Sequence, residues 1–133
     1  MAGVMKSTDE ASRIIAMEQN ALARWGRGDP DGYLEISSPD VTYFDHATER
    51  RLDGHAALTQ LYAPMRDKIR IDASEMPNAA VRFCGEAAAV LTFNFNSDGA
   101  SGRLRWNCTE VYERHDESWR IVHTHWSLTQ HGT

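Results

Sequence analysis

The fold is decided by the stretch Trp119-Arg120-Ile121-Val122-His123-Thr124-His125-Trp126-Ser127-Leu128. Its side chains alternate in character, as they do in a β-strand, where successive residues point to opposite faces of the sheet. One face is mostly apolar and consists of Arg120, Val122, Thr124, Trp126 and Leu128. The other face carries two histidines and consists of Trp119, Ile121, His123, His125 and Ser127. We therefore expect the first face to point into the protein and the histidine face to point outward.

Further strands with the same alternation precede this stretch. They are predicted over residues 41–46, 69–73, 81–83, 87–96 and 103–113, and a loop is predicted over the glycine- and serine-rich residues 97–102. Three helices are predicted over residues 8–27, 30–37 and 55–68, and Pro64 is expected to kink or shorten the third. Helices followed by antiparallel strands are typical of an α+β domain, in which the helices cover one face of a curved sheet.

Length and composition favour one globular domain over residues 1–133. The chain has 133 residues, of which 41% are hydrophobic, and this suffices for one core. Its net charge of -5, with no basic run longer than Arg50-Arg51, disfavours nucleic acid as a partner. No segment approaches the roughly 20 apolar residues of a membrane span or resembles a secretion signal, so a cytoplasmic protein without membrane contact is expected. Cys84 and Cys108 are isolated and expected to be reduced, and no cofactor is predicted.

Three carboxylates interrupt otherwise apolar faces. Glu18 lies on the apolar stripe of the first helix, while Asp45 and Glu110 lie on the inward faces of two strands. A buried and unpaired carboxylate raises its pKa or finds a partner. These acids are therefore candidates for proton-transfer chemistry, with the alternative that each lies at a rim or pairs with an arginine such as Arg24 or Arg105.

Aromatic residues on the same inward surface would enclose these acids. The predicted wall consists of Trp25, Tyr43, Phe93, Phe95, Trp106, Thr124 and Trp126. Apolar walls with a few convergent polar groups are typical of a small-molecule pocket. The sequence therefore predicts a ligand site, with Glu18 among its contacts, if the helices leave the concave side of the sheet partly open.

The pair His123 and His125 projects two imidazoles to one side of a strand, an arrangement that can bind a metal. His46 is predicted on the outward face of its own strand and could join them, but a complete ligand set is not evident. The favoured interpretation is that both histidines make hydrogen bonds or a subunit contact, so no metal is predicted. A Ser-His-Asp triad is disfavoured too, because no serine occupies a nucleophile elbow.

The order of these motifs resembles the nuclear transport factor 2-like superfamily. The motifs are a corner rich in glycine and aspartate at residues 28–32, the strand at 41–45, the helix start at 54–58 and the final stretch at 119–127. Within the superfamily the chain is similar to SnoaL-like and ketosteroid isomerase-like proteins, and its ending resembles the association domain of calcium/calmodulin-dependent protein kinase II. The resemblance implies a cystatin-like cone, in which a strongly curved, mixed and mostly antiparallel sheet wraps around three N-terminal helices. It also implies a pocket at the open end and a homodimer through the outer sheet face, with larger rings left open.

The resemblance also assigns roles to single residues. The aspartate that moves the proton in ketosteroid isomerases corresponds to Asp45, followed here by His46 where that group has proline, and their protonated acid falls close to Glu110. The partner tyrosine falls near Ala21, which cannot donate a hydrogen bond, so steroid isomerisation is disfavoured while acid/base chemistry stays open. The arginines of the kinase hub pocket correspond here to Phe95, Glu110 and Trp126.

Two functions of different class follow from these patterns. The first is an acid/base enzyme of isomerase, cyclase or dehydratase type, in which Asp45 is the general base and Tyr43 or a protonated Glu110 stabilises the developing oxyanion. The second is a non-catalytic module for ligand binding or oligomerisation, whose aromatic pocket would suit a cationic or amine-bearing compound through cation–π contacts. The predicted dimer surface consists of Thr109, Val111, Ile121 and His123.

Overall fold

A computed structural model describes residues 2–129 of the chain. Within this range three α-helices come before most of the strands: α1 is Ala2–Trp25, α2 is Asp31–Ile36 and α3 is His55–Tyr62. Helix α1 begins earlier than the predicted residue 8. Helix α3 is shorter than predicted, because Pro64 lies in the 3₁₀ turn Ala63–Met65 that ends it, and proline has no amide proton to continue the helix.

The corner between α1 and α2 depends on Gly28. Its φ of 82° lies in the left-handed region that favours glycine. A Cβ at this position would lie 2.8 Å from the Cα atom of Asp67, which belongs to the backbone and cannot rotate away. The Asp67 amide also donates to the Gly28 carbonyl oxygen at 2.8 Å. The corner therefore holds the segment that follows α3 against the end of α1.

Gly28→Ala is expected to lower the free energy of unfolding by about 2 kcal/mol, because the left-handed conformation costs roughly 1–2 kcal/mol for alanine and the contact with Asp67 adds to it. Gly85→Ala is the matched control, since Gly85 has a φ of 78° but no atom within 4 Å of its Cβ position. Urea denaturation of both variants measures the difference. Equal losses of stability would show that the contact with Asp67 contributes nothing.

Within residues 2–129, seven strands form one sheet with the order β2-β1-β7-β6-β5-β3, and β4 also pairs with β5. The strands are β1 Ser37–Phe44, β2 Leu52–Asp53, β3 Ile71–Glu75, β4 Ala80–Phe83, β5 Ala88–Gly99, β6 Gly102–His115 and β7 Ser118–Leu128. Strands β1 and β7 are parallel, and the other neighbours are antiparallel. The predicted α+β fold, with three helices and a mixed, mostly antiparallel sheet, is confirmed.

Strand β7 contains a bulge at Val122. Val111 of β6 pairs with His123, whereas the next residue of β6, Tyr112, pairs with Ile121, so Val122 has no partner in the register. One extra residue in one strand interrupts the alternation of faces and lets the residues on both sides of it point the same way.

The bulge overturns part of the predicted orientation of β7. Trp119 and Ile121 are 2% and 0% exposed, so they point into the core, and their predicted outward direction was wrong. Beyond the bulge the prediction is confirmed for Thr124, which is buried, and for His125, which is exposed. It was wrong for Leu128, which was predicted to point inward but is exposed at the end of the strand. Ile121 is therefore not part of the outer surface, although it was predicted there as a dimer contact.

The long strands β5 and β6 follow the predicted alternation. Their buried residues include Leu91, Phe93, Phe95, Cys108, Glu110 and Tyr112. The predicted loop over residues 97–102 was wrong, because β5 runs to Gly99 and β6 begins at Gly102, which leaves only the turn Ala100-Ser101. The two strands continue through these glycine- and serine-rich residues because they pair with each other. Asp98 lies opposite Arg103 and accepts a hydrogen bond from it at 3.0 Å.

The core lies between the helices and the concave face of the sheet. Fully buried apolar residues come from both layers: Ile14, Ala21, Val41, Leu58, Ala89, Leu91, Tyr112 and Ile121. In the part of the chain that the structure describes, no helix is both long enough and apolar enough to cross a membrane.

Candidate ligand-binding site

A cavity of about 240 Å³ opens at one end of the curved sheet. It lies where the C-terminal ends of α1, α3, β1 and β7 meet the hairpin between β5 and β6. Aromatic side chains dominate its wall: Trp25, Tyr33, Tyr43, Tyr62, Phe95, Trp106 and Trp126. Aliphatic side chains fill the gaps: Leu22, Met65, Ile69, Ile71 and Leu104. The other polar residues of the wall are Asp45, His46, Arg70, Ser97 and Ser101.

Trp126 is at the centre of the aromatic wall. Its ring makes edge-to-face contacts with Tyr33, Phe93, Phe95 and Trp106 at centroid distances of 6.5, 5.6, 6.1 and 5.8 Å. Such pairs contribute roughly 0.5–1.5 kcal/mol each beyond the area that they bury. Because four rings hold it, Trp126 presents a fixed surface to the cavity.

Asp45 follows the end of β1 and holds its carboxylate in one orientation. Its Oδ1 accepts hydrogen bonds from the amides of Ala47 and Thr48 at 2.8 and 2.9 Å. Its Oδ2 accepts a hydrogen bond from the Tyr43 hydroxyl at 2.9 Å and has no second donor among the described residues. Oδ2 is therefore the oxygen with a lone pair available for a ligand.

Tyr43 and Tyr62 lie next to each other in the cavity wall. Their rings are edge to face with a centroid distance of 6.0 Å. Burial is the largest effect that raises the pKa of both phenols, and the Asp45 carboxylate raises both further. Since an ionised carboxylate can only accept, the Tyr43 hydroxyl donates to Asp45.

Glu18 and Glu110 form a buried carboxyl pair behind the wall. Both side chains are 0% exposed. Glu18 accepts a hydrogen bond from the Tyr33 hydroxyl at 2.5 Å and from the Tyr112 hydroxyl at 2.8 Å, and its carboxyl is in hydrogen-bonding contact with that of Glu110. Cys108 donates to Glu110 Oε1 at 3.6 Å. No described lysine or arginine forms an ion pair with either acid.

One proton shared by the two carboxyls accounts for this arrangement. Burial raises the pKa of both acids, and the negative charge of Glu18 raises that of Glu110 further, well above its usual range. Glu110 Oε2 receives no hydrogen from any described residue, so it is the oxygen suited to carry the proton and to donate to Glu18. Glu110 therefore stays neutral at pH values where an exposed glutamate is ionised.

The structure brings six of the predicted site residues to the cavity and leaves four behind it. The six that line the cavity are Tyr43, Asp45, Trp25, Phe95, Trp106 and Trp126. The four that do not are Glu18, Glu110, Phe93 and Thr124. All four are buried as predicted, but one layer deeper, since alternation reports the face of a strand and not the depth along it. Arg24, one of the arginines considered as partners for the three acids, instead pairs with Asp29 and Glu35 at 2.8 Å each.

Several cavity residues were missed from the sequence. Tyr62 lies in α3 and Tyr33 lies in the short helix α2, and no sequence pattern singled out either as a site residue. His46 was predicted on the outward face, but β1 ends at Phe44, so the alternation does not extend to it. The imidazole of His46 instead lies 5.2 Å from the Trp106 ring at the cavity.

His123 and His125 lie on the outer side of the sheet, as predicted. His123 Nδ1 is 2.7 Å from the Thr42 hydroxyl, and both imidazoles pack against Phe44 at 5.7 and 5.4 Å. Burial lowers the pKa of His123. Across residues 2–129, no group of three or more histidine, cysteine, aspartate or glutamate side chains is arranged to hold a metal ion.

The sequence of the chain matches a known protein family. Residues 14–130 match the sequence profile of the SnoaL-like domain, which covers most of the chain. The chain belongs to the SnoaL-like domain family. This membership, within the nuclear transport factor 2-like superfamily, agrees with the resemblance inferred from the motifs. No curated protein sequence matches this SnoaL-like chain.

Solved structures with the same fold include three informative neighbours. A candidate ketosteroid isomerase from Parabacteroides distasonis is 37% identical, with a TM-score of 0.79 over 88% of this chain and 86% of that one. The hub homology domain of CaMKII from Chlamydomonas reinhardtii is 22% identical, with a TM-score of 0.75 over 91% and 98%. A protein with a cystatin-like fold from Caulobacter vibrioides is 17% identical, with a TM-score of 0.71 over 88% and 87%. The SnoaL-like chain therefore has the cystatin-like fold that the sequence predicted.

Proposed function

We propose that this SnoaL-like protein binds a small, mainly apolar organic compound in the cavity and moves a proton on it, with Asp45 as general base. The observation that carries the proposal is the position of Asp45, an oriented carboxylate at a cavity whose wall is largely aromatic. A bound compound would displace water from this wall and strengthen the electrostatic interactions of the carboxylate.

The size of the cavity limits the compound. Its volume of about 240 Å³ lies below the roughly 300–1,000 Å³ of ordinary ligand pockets. Compounds with one or two rings therefore fit the proposal better than a four-ring steroid. The aromatic wall favours flat rings, which can stack on Trp106 or Trp126.

The chemistry follows from the hydrogen bonds. Asp45 Oδ2 takes a proton from a carbon next to a carbonyl group, and the electron pair of the C–H bond forms an enolate. Once Asp45 is neutral, the Tyr43 hydroxyl has lost its anionic acceptor and is free to donate to the enolate oxygen. Return of the proton to another carbon gives isomerisation. Dehydration results if the carbon next to the carbanion instead loses hydroxide, which takes the proton from Asp45 and leaves as water.

Glu110 does not touch the compound in this proposal. It stabilises the ionised Glu18, which in turn accepts the hydrogen bond of Tyr33, a residue of the cavity wall. The pair therefore acts on the site through the position of Tyr33.

The test is exchange of carbon-bound hydrogen with D₂O. The two-ring ketone 2-tetralone, which has acidic protons next to its carbonyl group, is incubated with the protein in D₂O and followed by NMR, while a thermal-shift assay measures its binding. We expect deuterium to enter these positions faster than in buffer alone. Binding of 2-tetralone and related ketones without any acceleration would exclude catalysis and favour the alternative, a non-catalytic binding module.

We also propose a homodimer through the outer face of the sheet. Val111 and Phe44 are apolar residues on this face that are only half-buried, and Phe44 packs against His123 and His125. The similarity to a CaMKII hub homology domain supports assembly through this fold. A second copy would cover the half-buried apolar groups, which water otherwise contacts.

Val111→Lys is expected to convert the dimer into a monomer at micromolar concentration, because an unpaired charge in an apolar interface costs several kcal/mol. Size-exclusion chromatography with light scattering gives the mass. Glu117→Gln is the control, since it changes the net charge by the same amount at an exposed turn. A wild-type protein that is monomeric, or a variant that stays dimeric, would contradict this interface.

A further inference from the structure

His46 is a titratable residue of the cavity to which the reaction described above gives no role. It follows Asp45 in a turn that is closed by a hydrogen bond from the Thr48 amide to the Asp45 carbonyl oxygen at 3.3 Å. It lines the cavity, and its imidazole lies 5.2 Å from the Trp106 ring at an angle of 59°. Two consecutive residues thus reach the same cavity, because the alternation of β1 stops at Phe44.

The imidazole of His46 has no partner within the described chain. Neither ring nitrogen makes a hydrogen bond with a described residue, and no described carboxylate forms an ion pair with it. Other histidines are held by neighbours: His55 by the Leu34 carbonyl oxygen at 2.7 Å, and His123 by the Thr42 hydroxyl at 2.7 Å. Both nitrogens of His46 are therefore available to a bound compound.

We propose that His46 is the general acid that acts together with Asp45. The proposal rests on the proposed function, since it needs a compound whose proton Asp45 removes. Histidine suits the role because its imidazole can give or take a proton near neutral pH.

The proposed step balances as an enolisation. The carbon–hydrogen bond breaks and its proton moves to Asp45 Oδ2, while the electron pair forms the carbon–carbon double bond. The carbonyl oxygen takes the proton from the imidazolium of His46, which becomes neutral, and Tyr43 donates a hydrogen bond to the same oxygen. The product is a neutral enol, which is less costly in an apolar cavity than an enolate. The substrate class is accordingly a small ring-containing carbonyl compound.

The exposure of His46 fits this role. Its side chain is exposed, whereas Asp45 beside it is half-buried, so solvent can return a proton to the imidazole after each cycle. The ring contact with Trp106 keeps the imidazole at the cavity while it does so.

The charged and titratable groups around His46 set the expected pH dependence. The groups that share the cavity with it are Asp45, Tyr33, Tyr43, Tyr62 and Arg70. The tyrosines keep their protons because burial raises their pKa values, and the arginine stays charged. The rate therefore depends on an ionised Asp45 and a protonated His46, which gives a bell-shaped pH profile.

The experiment measures the pH profile of deuterium exchange into 2-tetralone for His46→Gln and His46→Ala. We expect His46→Gln to lower the rate near neutral pH by roughly 100-fold and to remove the fall of the rate on the alkaline side. Added imidazole should restore part of the rate in His46→Ala, because the position is open to solvent. His115→Gln, at an exposed histidine at the end of β6, should behave as wild type.

The outcomes separate the two proposals. If His46→Gln exchanges at the wild-type rate or keeps the alkaline limb, His46 is not the acid, and the function proposed for Asp45 stands as long as Asp45→Asn loses activity. If the wild-type protein itself does not accelerate exchange, both proposals fail. A rate that falls in His46→Ala without rescue, together with an unchanged pH profile in His46→Gln, would reduce His46 to a structural contact of Trp106.

Discussion

Asp45→Asn is expected to slow deuterium exchange into 2-tetralone by about a thousandfold, because an amide cannot accept the proton that a carboxylate takes, and general bases contribute roughly 10²–10⁴-fold. The asparagine oxygen can still accept from the amides of Ala47 and Thr48, so the turn should keep its shape. Exchange rates from NMR, with equal protein concentrations, give the comparison. Binding of the ketone in the thermal-shift assay should change little.

The control for Asp45→Asn is Asp116→Asn, which makes the same chemical change at an exposed turn. Asp116 has a φ of 58°, a conformation that asparagine also tolerates, so its stability should not suffer. If both variants exchange deuterium at the wild-type rate, the general base lies elsewhere and Asp45 only closes its turn. If Asp45→Asn also abolishes binding, the carboxylate contributes to affinity and not only to the chemical step.

Glu18→Gln is expected to lower the free energy of unfolding at pH 6 by about 3 kcal/mol, whereas Glu110→Gln should not lower it. An amide at position 18 replaces one acceptor oxygen by a donor, so the hydroxyl of Tyr33 or Tyr112 is left buried without an acceptor. An amide at position 110 imitates the neutral acid and can still donate to Glu18. Urea denaturation at pH 6 measures both variants.

Wild type and Glu110→Gln should also differ in how stability depends on pH. The pKa of Glu110 is raised in the folded state, so above its ordinary value of 4.5 the unfolded chain loses a proton that the folded protein keeps. The contribution of Glu110 to stability is therefore complete below pH 4.5 and falls as pH rises, by about 1.4 kcal/mol per pH unit, until the folded pKa is passed. Glu110→Gln should remove this slope.

The pH dependence of the free energy of unfolding should be measured above pH 6. Hydrogen bonds with Arg24 lower the pKa values of Asp29 and Glu35, and these lowered pKa values affect stability only in more acidic solution. Equal losses in Glu18→Gln and Glu110→Gln would mean that the proton is not placed on Glu110. Parallel pH profiles of wild type and Glu110→Gln would mean that the pair shares no proton in this range.

Much of the fold could be predicted because every second residue of a long strand points to the buried face of the sheet and is apolar. Residues 91–95 and 104–112 alternate without interruption, and their inward sets are correct in the structure. The prediction failed where one residue interrupts the alternation, at Val122, and where a strand ends, at Phe44. A bulge leaves no compositional trace, since it is a property of the pairing between two strands and not of either strand alone.

The chemical groups of the candidate site could be predicted from the sequence, but their distance from the open end of the cavity could not. The sequence identified Asp45, Glu18 and Glu110 as acids on apolar faces, and all three have buried or half-buried carboxyl groups. Which of them meets a ligand depends on how far each lies from the open end, and no residue pattern encodes that distance. Tyr33 and His46 were missed because a short helix and a turn give no periodic signal.

The extra residue at Val122 divides the last strand into two halves of opposite phase. The half before it contributes Trp119 and Ile121 to the buried core, and the half after it contributes Trp126 to the cavity. One strand thus contributes side chains both to the hydrophobic core and to the wall of the ligand cavity. Substitutions after Val122 can change the shape of the cavity without changing the core packing of the residues before Val122. The core half and the cavity half of the strand can therefore vary independently in sequence.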